Sequence, residues 1–187
     1  AGPRAYRIML KKGFPFPAVS TLRAWTRKIK LVPGLLKQMV NIVKKSELSE
    51  LHKICILSFD EMKVRKIYCH DKINDETLKP YNYVVVVMMR SLVGNWRQPI
   101  FFYFGCPMSK TLLFEIIDYI QNEGFYVCGL VSDLGGSNRA LHKSLGVDLE
   151  KTWFWNTQQH TIFVFADVPH LLKLIRNNFL DYGFVLN

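Results

Sequence analysis

A run of strand-forming residues, Ile54-Cys55-Ile56-Leu57-Ser58-Phe59, stops abruptly on two carboxylates, Asp60 and Glu61. A short apolar run of this kind reads as a strand buried over most of its surface. Such a strand delivers Asp60 to the rim of a sheet, its position set by the sheet and its oxygens outside. A lone Asp in that place more often just starts a turn. A second one strengthens the functional reading, and the chain has it, because the apolar run over 125–132 ends on Asp133.

The rest of the pattern says how those two strands relate. Strand-like runs over 54–60, 83–90 and 99–105 are joined by connections too short for crossover helices, so they form an antiparallel meander. Residues 64–70 alternate loosely and read as a hairpin arm at the edge, and the polar stretch 71–80 reads as a loop. Beyond residue 105 the period changes. Ser109 caps a helix to Asn122, with Leu112, Leu113, Ile116, Ile117 and Ile120 inward. Gly124 supplies the positive φ that a helix end needs. After the strand to Ser132, Ser137 caps a short helix to Leu145, closed by Gly146. A strand over 160–166 ends on Asp167. Val168-Pro169 opens a last helix, with Leu171, Leu172, Leu174, Ile175 and Phe179 inward. The order β-β-β-α-β-α-β-α predicts an α/β fold, a mixed sheet with helices packed on its faces. In that topology the strands ending at Asp60 and Asp133 can be parallel neighbours.

Charge divides the chain. Residues 1–53 carry 12 Lys and Arg against 2 Asp and Glu, whereas residues 54–187 carry 13 of each. The whole net charge of +10 therefore belongs to the first quarter of the sequence. A basic segment joined to a neutral domain suggests a polyanion partner, with nucleic acid first, although a solvated helical surface would also carry such charge. A helix tail over 4–12 is broken at Gly13-Phe14-Pro15-Phe16-Pro17. Ser20 caps a second helix in which Leu22, Trp25 and Ile29 share a face. Residues 35–45 form a third, with Leu35, Leu36, Met39, Val40 and Val43 inward. Three short basic helices over 1–46 resemble a helix-turn-helix, with Lys11, Lys12, Arg23, Arg27, Lys28 and Lys30 as candidate DNA-binding residues. Residues 47–187 make the second domain.

Other classes are disfavoured. No apolar run has membrane-spanning length, and no secretory leader is expected. Cys55, Cys69, Cys106 and Cys128 are scattered without metal-ligand spacing and read as reduced thiols. The leading Ala1-Gly2-Pro3 reads as a cloning remnant or a cut end, so a fragment of a longer protein is expected.

Two carboxylates at one sheet edge can share a proton as an acid/base dyad, bind Mg2+, or merely begin loops. Delivery of nucleic acid by the basic segment favours metal, which can activate a water or a 3′-hydroxyl against a phosphodiester. The turn Asp133-Leu134-Gly135-Gly136-Ser137-Asn138 could instead cradle a phosphate, but it lacks the spacing of known phosphate loops. His170 can reach the rim or make a structural polar contact, and Trp153 and Trp155 read as core or interface.

Long motifs resemble one family. Phe14-Pro15-Phe16-Pro17-Ala18-Val19-Ser20-Thr21-Leu22 with Trp25, Phe59-Asp60-Glu61-Met62-Lys63-Val64 and Gln98-Pro99-Ile100-Phe101-Phe102 are similar to P-element-type transposases. So are Val131-Ser132-Asp133-Leu134-Gly135 and Asp167-Val168-Pro169-His170-Leu171-Leu172-Lys173-Leu174-Ile175-Arg176-Asn177. The family includes THAP-domain relatives in vertebrates, and the resemblance spans nearly the whole chain in order. It implies an RNase H-like domain of a nuclear transposase that cuts and joins DNA with Mg2+ or Mn2+ through two Asp and one Glu. Asp60 and Asp133 fall on the two Asp positions, as metal-binding and catalytic residues. It further implies that the third acid, a GTP-binding insertion and a zinc-coordinating THAP domain belong to the parent protein and lie outside this chain. Glu61, Asp167 and His170 are accessory candidates, Asp167 as a stand-in third ligand. The expected partner is DNA, with no membrane and with homo-oligomerisation left to the parent. The alternative is a domesticated DNA-binding or interaction protein without catalysis.

Overall fold

The computed structural model describes residues 3–27, 31–66, 69–71, 76–78 and 80–183, with the backbone alone at 69–71 and 76–78. The candidate residues Lys28 and Lys30 lie outside the described residues, as does Ile29. The chain separates into two compact units, residues 1–32 and 33–187.

The first unit holds α1 (Pro3–Lys11) and α2 (Val19–Thr26). Helix α1 ends into Gly13, at φ 79°, where a side chain would be strained. The proline segment folds back on the helix. The Tyr6 hydroxyl donates to the Pro17 carbonyl at 2.7 Å, and Phe16 stacks on Tyr6 and on Phe14. Helix α2 starts two residues earlier than its best capping side chain suggests. Ala18 is the N-cap, and Ser20 lies inside the first turn. Pro17 forbids helix before it, so the helix begins as soon as the chain clears the proline. Neither helix has a buried residue, and Lys11, Lys12, Arg23 and Arg27 are exposed.

The segment expected over 1–46 as one three-helix grouping is divided between the two units. Gly34–Leu35 is a short strand, β1, and α3 (Lys37–Lys44) belongs with the sheet. Met39, Val40 and Val43 of α3 are buried, the two valines within the main core. The Leu36 N–H donates to the Ile100 carbonyl at 2.7 Å. Periodicity identified the apolar face of this helix correctly, but a stripe does not say what it packs against.

In the second unit β2 (Ile54–Lys63) is followed by a short antiparallel pair, β3 (Cys69–Asp71) against β4 (Glu76–Leu78), where a plain loop was expected over 71–80. Then come β5 (Tyr83–Ser91), β6 (Arg97–Phe104), α4 (Lys110–Asn122), β7 (Tyr126–Ser132), α5 (Gly136–Ser144), β8 (Trp153–Trp155), β9 (Thr161–Ala166) and α6 (Val168–Tyr182). The large sheet has the order β1-β6-β5-β2-β7-β9-β8. Strands β2, β5 and β6 form the antiparallel meander, while β7 and β9 run parallel to β2. This is the mixed α/β architecture read from the sequence, enlarged by β1 and β8 at the edges.

One face of the sheet enters one core, by strict alternation along β2 and β5 and across a register shift on β7. Cys55, Leu57 and Phe59 of β2, Val85, Val87 and Met89 of β5, and Val127 and Leu130 of β7 join Leu113, Ile116, Ile117 and Ile120 of α4 and Leu141 of α5. Ser109 caps α4 by accepting the Leu112 N–H, and Gly124 takes φ 91° at its end. Edge strand β8 was missed. Its Phe154 enters the core, and Trp155 is exposed, which leaves the interface half of its expected role. The Lys151 ammonium sits 4.7 Å from the Trp153 ring centre. Cys55, Cys106 and Cys128 are free thiols, and burial pushes those of Cys55 and Cys128 up.

One expectation fails outright. The apolar stripe of α6 is exposed, including Leu171, Leu172, Leu174, Ile175 and Phe179. A stripe states that a helix face gains from burial, and not that the same chain supplies a cover. Among the described residues no helix is long and apolar enough to cross a membrane.

Candidate active site at the sheet rim

Register builds the site. Strands β2 and β7 pair in parallel from Ile54↔Tyr126 to Ser58↔Val131. Asp60 and Asp133 each lie two residues beyond that last pair, so the two side chains leave the sheet at the same edge. Strand β9 pairs with β7 as far as Ser132↔Ala166, which brings Asp167 to that edge too. Three parallel strands therefore carry aspartates toward their carboxyl ends, where open α/β sheets hold their ligands. Asp60, Asp133 and Asp167 line one cavity of about 310 Å3, together with Ser58, Val86, Met88, Val131 and Ser132.

Alternation explains who faces the cavity. Cys55, Leu57 and Phe59 go to the core, so Ser58 and Asp60 lie on the other face of β2. Glu61 does not line the cavity with Asp60. Its Oε1 accepts a hydrogen bond from the Ser137 hydroxyl at 3.2 Å, which ties β2 to the start of α5. Asp60 Oδ1 accepts the Glu61 N–H at 2.8 Å.

Asp133 is the more constrained carboxylate. Its Oδ1 accepts the Gly135 N–H at 3.0 Å and a hydrogen bond from the Asn138 side-chain amide. Oδ2 accepts from neither, and His170 Nε2 of α6 lies 3.9 Å from it, an ion pair when the imidazole is protonated. Behind the backbone, the Ser132 hydroxyl donates to the Asp133 carbonyl at 3.2 Å and sits 3.0 Å from His142 Nε2. Burial lowers the pKa of His142, and the charge of Asp133 partly opposes that.

The glycine turn has one of its N–H donors taken within the chain. The Gly135 N–H already serves the Asp133 carboxylate. A Cβ on Gly135 would come 3.1 Å from Asp133 Oδ1, a tight contact that glycine avoids. Ser137 is not the cap of α5, because Gly135 holds the N-cap position without a side-chain bond. Asp167 precedes α6 but makes no capping bond either. Asn138, Ser132 and His142 escaped sequence reading. Only the polar residue in the first turn after a strand-end Asp hinted at Asn138.

The donor set tests whether a metal fits. Carboxylate oxygens suit a hard divalent cation that keeps several waters. Among the described residues no group of three or more His, Cys, Asp and Glu is gathered tightly enough to hold an ion by itself. One or two carboxylates completed by water and phosphate oxygens match Mg2+ better than a closed protein cage.

Comparison with known proteins places the chain in a family. The family described as TNP-like, RNase H N-terminal domain matches residues 31–146. Transposable element P transposase of Drosophila melanogaster is 39% identical over 189 residues, covering 100% of this chain and 25% of its own length. DNA transposase THAP9 of Homo sapiens is 23% identical over 200 residues, 92% of this chain and 22% of its own. The solved Drosophila P element transposase strand transfer complex matches with a TM-score of 0.82 and 38% identity, over 100% of this chain and 44% of that one. The chain thus spans about a quarter of the length of these curated relatives. With more than half of its residues matched by the family, the chain is transposase-derived and belongs to the TNP-like RNase H N-terminal domain family of P-element-type transposases.

Proposed function

We propose that this chain supplies two metal-binding carboxylates, Asp60 and Asp133, to a transposase that cuts and joins DNA by Mg2+-dependent phosphoryl transfer in the nucleus. The observation that carries the reading is the parallel register of β2 and β7, which sends both aspartates to one rim. Mg2+ bound there would polarise a phosphodiester oxygen and make an attacking hydroxyl more acidic. The residues of the chain do the rest. Asp60 lies within β2, which continues to Lys63 rather than ending at the aspartate, and Asp133 lies just past the end of β7; both hold oxygen donors whose positions the sheet sets better than a loop would. Lys11, Lys12, Arg23 and Arg27 contact DNA phosphates from the basic first unit. The third acid comes from outside this chain, and Asp167, on the same cavity, is the residue here that could assist.

The test is strand cleavage by the complete protein on transposon-end DNA, wild type against Asp60→Ala and Asp133→Ala, with DNA binding measured alongside. Loss of cleavage in both variants with binding retained supports the reading. A wild type that binds tightly and never cuts replaces it with the domesticated, non-catalytic alternative.

A further inference from the structure

We propose that Asn138 is a positioning residue that fixes the orientation of the Asp133 carboxylate; its consequence for metal rests on the reading above. Asn138 sits in the first turn of α5 and is only 3% exposed. A buried amide in a helical first turn needs partners for its polar atoms, and an apolar residue would fill the space at no such cost. Its Nδ2 donates to Asp133 Oδ1, the same oxygen that accepts the Gly135 N–H. A carboxylate oxygen has two lone pairs in its plane. Two donors on Oδ1 therefore set the torsion of the carboxylate and leave Oδ2 as the oxygen that neither donor occupies.

The surroundings make the arrangement one-sided. A Cβ at position 135 would crowd Oδ1 at 3.1 Å, so glycine there leaves that oxygen in place without a push from its neighbour. The Ser132 hydroxyl holds the Asp133 carbonyl from the strand side. The carboxylate is thus held at its backbone by β7 and at one oxygen by α5. Asn138 is also neutral. An Asp there would set two carboxylates against each other, whereas the amide supplies a donor without a compensating charge that would weaken cation binding.

Two measurements on this chain separate the inference from the reading it rests on. The first needs no metal. In a proton–nitrogen NMR spectrum, the Asn138 side-chain amide should show two well-separated, slowly exchanging protons, and Asp133→Ala should collapse that separation. Protons unchanged by Asp133→Ala would overturn the proposal whatever the chain binds. The second is a Mn2+ titration of wild type, Asp133→Ala, Asn138→Ala and Asn138→Ser. Asn138→Ala should weaken Mn2+ binding by about 10-fold or more, the usual effect of losing a residue that orients a ligand. Asn138→Ser, which keeps a donor, should recover part of that loss. Wild-type affinity in Asn138→Ala, while Asp133→Ala binds no Mn2+, would also overturn it. A wild type that takes up no Mn2+ defeats the metal reading alone, and the amide signal then decides the role of Asn138.

Discussion

Ser58 and Val131 stand opposite each other on adjacent parallel strands, and two residues past them stand Asp60 and Asp133. The proposed site depends on that register. Side chains alternate along a strand, so a one-residue slip would send one aspartate to the core face.

Metal should stabilise this chain through the two carboxylates. At Mn2+ ten-fold above its dissociation constant, the expected gain is about 1.4 kcal/mol. Thermal melts with and without EDTA will read it. The gain should vanish in Asp60→Ala, and persistence there would move the ion to another site.

Gly135→Ala should disturb Asp133 without straining the backbone. Residue 135 has φ −59°, which alanine adopts freely, but its Cβ would lie 3.1 Å from Oδ1. Crowding of this kind costs about 1–3 kcal/mol. Urea unfolding measures the cost. A neutral result would mean that the carboxylate has room to move.

Burial of Ile117 on α4 predicts a larger effect. It is fully buried among β-strand residues of the core. Ile117→Ala should destabilise the second unit by about 2–5 kcal/mol. Leu172→Ala, on the exposed face of α6, should change stability by no more than about 0.5 kcal/mol. Equal destabilisation by the two variants would contradict the burial of one and the exposure of the other.

Stability should fall on mild acidification because of His142. Its pKa is lowered in the fold, chiefly by burial. The unfolded chain then binds the proton more readily. The contribution is fully present above the unfolded pKa near 6.5 and is lost as pH falls through the lower folded value. Urea midpoints at pH 8 and at about pH 5.5 should differ less in His142→Gln than in wild type.

Arg23→Ala combined with Arg27→Ala should weaken DNA binding and flatten its salt dependence, by about 0.9 in log–log slope for each phosphate no longer neutralised. Both residues are exposed on the basic unit. An unchanged slope would remove α2 from the DNA-binding surface.

Local chemistry made much of this legible. The runs around Leu57, Val87 and Leu130 announce strands, Ser109 announces a helix start, and Gly124 a helix end, because each signal acts within a few residues of chain. Other local signals yielded to their neighbours. Pro17 set the start of α2 ahead of Ser20, and the Asp133 carboxylate made the turn at Gly135 the start of α5 ahead of Ser137. Edge strand β8 was too short to announce itself.

The sequence by itself determined the order of the main elements, though not the short strands β1, β3, β4 and β8, the apolar faces of the long strands and helices, the concentration of charge before residue 54, and the placing of Asp60 and Asp133 toward the carboxyl ends of β2 and β7. Only the tertiary structure decided which faces meet. It attached α3 to the sheet, left the stripe of α6 exposed, and brought Asn138, Gly135 and His170 around Asp133. The physical reason is that periodicity is a property of one segment, whereas a packing partner or a shared hydrogen bond is a property of two. Asp133 shows the difference. Its place at the end of β7 follows from residues 125–132, but the orientation of its carboxylate follows from the start of a helix that packs against that strand's end.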